Sequence, residues 1–220
     1  MTRNPFFPHF NDLPTQLPIF PLAGAVVMPG VQLPLNIFEP RYLNMVNDAL
    51  AGDRLIGMIQ PRSETIEDEV PQIHRVGCAG RITSYSETSD GRIVLVLTGV
   101  CRFQVRRELE TRRGYRRVEP DWERFTIDYQ GSEGGMVDQE GFLTSLRAYC
   151  NLRHVEIPWD DAKKMPAGEL VDLLCSHLPL EPEDKQALIE TLDVKDRAEL
   201  MRGLMDMASA SSIGTAEHRH

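Results

Sequence analysis

The chain has 220 residues, of which 41% are hydrophobic and 26% charged, and a formal net charge of −9. At about 150 residues per domain this is room for one large domain or two small ones, and it excludes a multidomain ATP-driven machine. A collagenous, wholly disordered or membrane-embedded chain is excluded too, since the longest strongly aliphatic stretch, Ile93 to Leu97, is only strand-sized.

The first eight residues carry a charge and two prolines where a secretory signal needs a continuous apolar region, so a cytoplasmic protein is expected. Residues 1–120 hold 14 basic and 13 acidic side chains, whereas 121–220 hold 10 and 20, which points to two parts with different surfaces. An acidic second half opposes nonspecific polyanion binding.

In chain order, Leu17 to Phe20 and Val31 to Phe38 read as short strands broken by prolines, which belong at edges or bulges. Between them, Met28-Pro29-Gly30 carries turn chemistry. Pro40 opens a helix whose apolar positions Tyr42, Leu43, Val46, Ala49 and Leu50 recur at helical spacing, with Gly52 as its stop. A strand over Leu55 to Ile59 and a polar loop over Pro61 to Gln72 follow. Strands over Arg81 to Tyr85 and Arg92 to Leu97 flank Ser89-Asp90-Gly91, a hairpin signal. In Cys101 to Val105, alternation turns Cys101, Phe103 and Val105 inward and Arg102, Gln104 and Arg106 outward. Extended segments around Tyr115 to Val118 and Arg124 to Tyr129 complete the sheet.

Gln130 to Gly135 reads as a linker, beyond which the period changes to 3.6. Phe142, Leu143, Leu146, Tyr149 and Cys150 form one helical face, and Leu170, Leu173, Leu174 and Leu178 another, ended by Pro179. Pro182 opens a third helix. Asp193 caps a fourth, with the stripe Val194, Ala198, Met201, Met205 and Ala208. Trp159, in the polar segment Pro158 to Asp161, is either an exposed anchor or a cover for the domain junction.

Cys78, Cys101, Cys150 and Cys175 stand too far apart for a CxxC site and read as reduced core thiols. The histidines share no local ligand spacing, and no G-x-S-x-G or HExxH motif occurs. No catalytic, cofactor-binding or metal site is therefore assigned.

The string Leu17-Pro18-Ile19-Phe20-Pro21-Leu22, Met28-Pro29-Gly30 and Leu33-Pro34-Leu35-Asn36-Ile37-Phe38-Glu39-Pro40-Arg41-Tyr42 resembles the N-terminal substrate-recognition domain of the ATP-dependent Lon protease, in its compact bacterial stand-alone form. Val76 to Ile82, Gly99 to Phe103 and Leu178 to Gln186 agree with it. The resemblance covers roughly residues 15 to 208 and implies an α+β fold: a PUA-like, mostly antiparallel β pseudo-barrel, then a small C-terminal helical bundle. The expected boundaries are an N-terminal arm over 1–14, the barrel over 15–130, the bundle over 131–210 and a flexible tail over 211–220.

The resemblance further implies a non-catalytic module that binds polypeptides, an adaptor in protein quality control, with Lon protease itself as one partner to consider; the oligomeric state is left open. The chain has neither G-x-x-x-x-G-K-[ST] nor a motif resembling Lon's Ser-Lys site. Pro21, Pro29, Gly30, Phe38, Glu39, Pro40, Arg41 and Tyr42 carry the family string. Ordinary structural work suffices for them: a turn at Pro29-Gly30, a strand anchor at Phe38, a helix start at Pro40 and local pairing of Glu39 with Arg41. An alternative reading, an RNA-binding surface, rests on Arg102, Arg106, Arg107, Arg112, Arg113, Arg116 and Arg117, interrupted by Glu108, Glu110 and Glu119.

Overall fold

The computed structural model describes residues 6–62, 71–130 and 138–217, with side chains as far as residue 210. Six strands form one mixed sheet: β1 (Leu17–Pro21), β2 (Gln32–Ile37), β3 (Leu55–Ile59), β4 (Val76–Glu87), β5 (Ile93–Arg112) and β6 (Tyr115–Asp121). Their order is β2-β5-β4-β3-β1-β6, and a further β5–β6 pairing closes five of them into a ring. All pairings are antiparallel except β1 with β3.

β5 makes this closure possible because its two halves have different neighbours. Residues 93–98 pair with β2 and residues 104–112 with β6. The predicted strands at Arg92 to Leu97 and Cys101 to Val105 are thus one continuous strand. Ring closure leaves free edges at β2 and at residues 82–87 of β4, which pair only with β5; Pro34 sits on the β2 edge at no cost to a ladder. β1 is flanked on both sides, yet its prolines still fit: Pro18 lies where only β6 pairs, Pro21 where only β3 does.

Glycines permit the close approaches. A Cβ on Gly99 would run into the main chain of Met28, and one on Gly77 into the Met58 carbonyl. The Met28-Pro29-Gly30 turn therefore lies directly on β5: Gly30 donates to the Gly99 carbonyl at 2.9 Å and Gly99 to that of Val31 at 2.9 Å. Gly30 has φ +80°, which a side chain rarely adopts.

α1 (Pro40–Leu50) follows β2 as expected, burying Tyr42, Met45, Val46 and Ala49. The helical part comprises α3 (Gln139–Arg153), α4 (Trp159–Lys164), α5 (Ala167–His177), α6 (Pro182–Glu190) and α7 (Val194–Glu217). α4 was not expected; its acidic first turn and its lysines in the last turn suit the helix dipole. Trp159 is half-buried against the core, with the Arg147 guanidinium 5.1 Å from its ring centroid.

Arg124 to Tyr129 is not extended. It forms a 3-10 turn, Glu123–Phe125, and a short helix, α2 (Ile127–Gln130). The reason is Arg102: the helical turn lets Phe125 stack at 4.8 Å under its guanidinium while Asp128 pairs with it at 2.7 Å. Most of the loop 61–72 and of the linker falls in 63–70 and 131–137, outside the described residues. The N-terminal segment folds back on this region, with Phe10 edge-on to Tyr129 and Trp122 Nε1 donating to the Pro14 carbonyl at 3.0 Å.

A buried polar network joins barrel and helices. Gln60 Nε2 donates to the Pro182 carbonyl at 2.8 Å and Lys185 Nζ to that of Gly24 at 2.9 Å. Gln186 reaches the Val76 carbonyl at 3.1 Å, and the Met28 amide donates to Ser176 Oγ at 3.2 Å. Among the described residues no buried side-chain nitrogen or oxygen lacks a partner. Paired polar groups at a fixed register orient two bodies more sharply than apolar contact does.

Candidate functional site

The family-string residues divide by exposure. Pro21, Pro29, Gly30 and Tyr42 belong to the framework: Pro21 ends β1, Pro29 and Gly30 cross β5, and Tyr42 packs at 4.3 Å on Phe20. Burial is the main reason the Tyr42 phenol titrates above its usual range. Phe38, Glu39, Pro40 and Arg41 form the corner between β2 and α1. Glu39 is the N-cap residue but caps through its carbonyl only; its carboxylate pairs with Arg41 at 2.8 Å. Opposite this corner, the Arg113-Gly114 turn of the β5–β6 hairpin is pinned to α1, with Arg113 on Asp48 at 2.6 Å and Tyr115 Oη on Asp48 at 2.8 Å. Although burial opposes it, these hydrogen bonds hold the Asp48 carboxyl below its usual range.

Phe38 is 61% exposed, unusual for a phenylalanine at a strand end. The register shows what lies beside it. Asn36 is opposite Val94 and Ser86, and Pro34 is opposite Val96 and Ser84, all on one face of the β2-β5-β4 end. Arg92, on that face, lies 5.8 Å from the Phe38 ring centroid. Val94 is 45% exposed, so Pro34, Phe38, Val94 and Val96 make an open apolar face beside the free β2 edge. Tyr85 stands exposed on the opposite face, across from Leu95. Val94 and Tyr85 were not singled out from sequence. The available signal was Ile93-Val94-Leu95-Val96-Leu97, apolar at both phases of a strand although only one phase faces the core.

The arginine group does not form one surface. Arg102 is 1% exposed: its guanidinium pairs with Asp128 and donates to the Thr191 carbonyl at 2.6 Å and to those of Ile189 and Leu192 at 3.1 Å. Alternation placed it correctly on the outer face, but α2 and the α6–α7 connection cover that face here. Arg107 pairs with Glu119 at 2.7 Å, Arg116 with Glu108 at 2.7 Å, and Arg113 and Arg112 with Asp48 at 2.6 and 3.5 Å. Arg106 is 3.6 Å from Asp121, and Arg117 binds Gln16 and the Glu110 carbonyl. Carboxylates thus neutralise most of the strip, which does not favour an RNA track.

All four cysteines are buried and free, and burial pushes the Cys175 thiol up to about 12, so it is no nucleophile at neutral pH. No group of metal-ligating side chains occurs among the described residues.

The family profile described as the ATP-dependent protease La (LON) substrate-binding domain matches residues 16–207. The chain belongs to the Lon substrate-binding domain family. Among relatives, the Lon protease of Dictyoglomus thermophilum is 29% identical over 197 residues, which is 85% of this chain and 24% of that protein. Lon protease 2 of Myxococcus xanthus is 29% identical over 202 residues, 89% of this chain and 24% of that protein. The chain thus spans about a quarter of the length of the curated relatives it matches. A solved Lon N-terminal domain protein from Xanthomonas campestris aligns with TM-score 0.62 and 27% identity over 85% of this chain and 96% of that one. The N-terminal domain of Mycobacterium avium complex Lon protease, at 15% identity and TM-score 0.59 over 87% of this chain and 98% of that one, shows the shared fold.

Within this Lon-family fold the exposed Phe38 corner and the open β2-β5-β4 face bring Phe38 and Val94 together as one exposed apolar surface. Among the described residues no helix is long and apolar enough to cross a membrane.

Proposed function

We infer that this Lon-family domain is a non-catalytic, cytoplasmic module that recognises polypeptides and acts as an adaptor in protein quality control. The observation that carries the reading is the match to the substrate-binding domain along residues 16–207. The open face around Phe38 and Val94 supports it, because exposed apolar side chains beside a free strand edge suit an extended, unfolded chain. Pro34 has no N–H to offer, so it interrupts strand addition and leaves affinity to side-chain contacts. Lon protease is a candidate partner on the same reading.

The test is titration of a fluorescently labelled, permanently unfolded protein, such as reduced and carboxymethylated lactalbumin, followed by anisotropy. Saturable binding that weakens at least about fivefold in Phe38→Ser/Val94→Ser supports the reading. Absence of binding at high micromolar concentration contradicts it.

A further inference from the structure

A second surface lies on β5 beyond the part that packs on the helices. At Arg106 the β5–β6 register shifts: Val105 is opposite Pro120, yet Arg107 is opposite Glu119. This bulge adds one residue, so Arg106 and Arg107 both point to solvent where strict alternation would turn one inward. Their side chains line a cleft of about 420 Å³ together with Arg62, His74, Arg75 and Glu108. Ile73 and Val105, both nearly buried, contribute its apolar lining.

The cleft is framed by hydrogen bonds to main-chain carbonyls. The Val105 amide donates to the Arg75 carbonyl at 2.7 Å, the Arg62 amide to that of Gln72 at 2.7 Å, and the Arg116 guanidinium to that of Pro71 at 2.7 Å. Arg106 and Arg107 have carboxylate partners on β6, and Glu108 is held by Arg116. Arg62 and Arg75 are exposed and enter no ion pair among the described residues. His74 adds little charge, since burial above all lowers its titration, against the opposing pull of Glu190. Among the described residues the cleft thus holds two guanidinium groups, those of Arg62 and Arg75, without a carboxylate partner, beside the small apolar patch of Ile73 and Val105.

We propose that this cleft docks an acidic polypeptide segment, its carboxylates on Arg62 and Arg75 and a neighbouring apolar side chain over Ile73 and Val105. The proposal rests on the reading of the domain as a polypeptide binder and adds a charge preference to it. Guanidinium groups take carboxylates in a two-point fork. A phosphate backbone would need a longer track of unpaired guanidinium groups than this cleft offers.

The test uses the full chain and three labelled probes in anisotropy: an extended peptide alternating Glu with Val, the same peptide with Gln for Glu, and an uncharged apolar unfolded protein. The acidic peptide is expected to bind roughly tenfold more tightly than its Gln counterpart, and to weaken as salt rises from about 50 to 300 mM. Arg62→Glu/Arg75→Glu should abolish that preference while leaving the apolar probe unaffected; Arg62→Lys/Arg75→Lys should keep part of it, since the charge stays and the fork is lost. Both positions are exposed, so circular dichroism of the variants should match the parent. Equal binding of the Glu and Gln peptides, or an unchanged preference in the charge-reversed variant, overturns the proposal. So does a single-stranded oligonucleotide of equal length that displaces the acidic peptide and binds more tightly. Binding of the apolar probe alone defeats only the cleft; failure of all three probes defeats the polypeptide-binding reading itself.

Discussion

On one side of the bulge in β5 an arginine is sealed inside the molecule; on the other, its neighbours stand in solvent. Arg102 and Arg106 both leave the outer face of the strand, four residues apart, and differ only in what lies over them. α2 and the α6–α7 connection cover Arg102, which meets a carboxylate and three carbonyls. Among the described residues nothing seals Arg106, whose side chain is 53% exposed, so its contact with Asp121 at 3.6 Å is a solvent-screened pair. The same residue type thus orients the helices in one place and tunes surface charge in the other.

The largest effect should come from breaking the buried side. Arg102→Ala strands the Asp128 carboxylate, 5% exposed, together with three carbonyls, and should cost about 3 to 5 kcal/mol in urea denaturation. Arg102→Met/Asp128→Leu should recover much of that loss, since the cost lies in the unpaired charge.

Next is Gly99→Ala. It drives a Cβ into the Met28 main chain under the Pro29-Gly30 crossing and should cost about 2 to 3 kcal/mol. The hydrogen bond from Met28 to Ser176 on α5 should loosen with it, seen as faster amide exchange at Met28.

The junction also carries a pH dependence. Burial pushes the Asp172 carboxyl up to about 6, against the opposing pull of Arg197, 2.5 Å away, and of Arg102. The folded value lies above the unfolded one, so the native state holds the extra proton between pH 4 and 6. Stability from this group is greatest below about pH 4 and falls as pH rises to about 6, by up to about 3 kcal/mol. Subtracting the pH profile of Asp172→Asn isolates this contribution; a flat difference over that window contradicts it.

The exposed side should be nearly silent in stability. Arg107→Ala should change the unfolding free energy by no more than about 0.5 kcal/mol. Phe38→Ser should stay within a similar margin while weakening polypeptide binding.

Much of the fold was legible from sequence. Pro40 and Gly52 bracket α1, Asp90-Gly91 turns the β4–β5 hairpin, the 3.6 period marks α3, α5 and α7, and Pro182 opens α6, because local chemistry decides these features. What escaped was tertiary. The turn of 123–130 exists to bring Phe125 and Asp128 to Arg102, a partner more than twenty residues away, and the bulge at Arg106 is visible only in the pairing with β6. The site was half legible. Phe38 belongs to the family string but reads there as a strand anchor and not as the exposed side chain it is; Val94 joins it only through the register across β2 and β5, and Arg62 and Arg75 meet Arg106 and Arg107 only through the ring.

The most direct test of the account is hydrogen exchange by mass spectrometry on the full chain, with and without a saturating unfolded polypeptide. Added protection over residues 33–41 and 84–96, with the α5–α7 amides unchanged, is the predicted result. Protection confined to the helices, or none at saturation, would contradict recognition by the open apolar face.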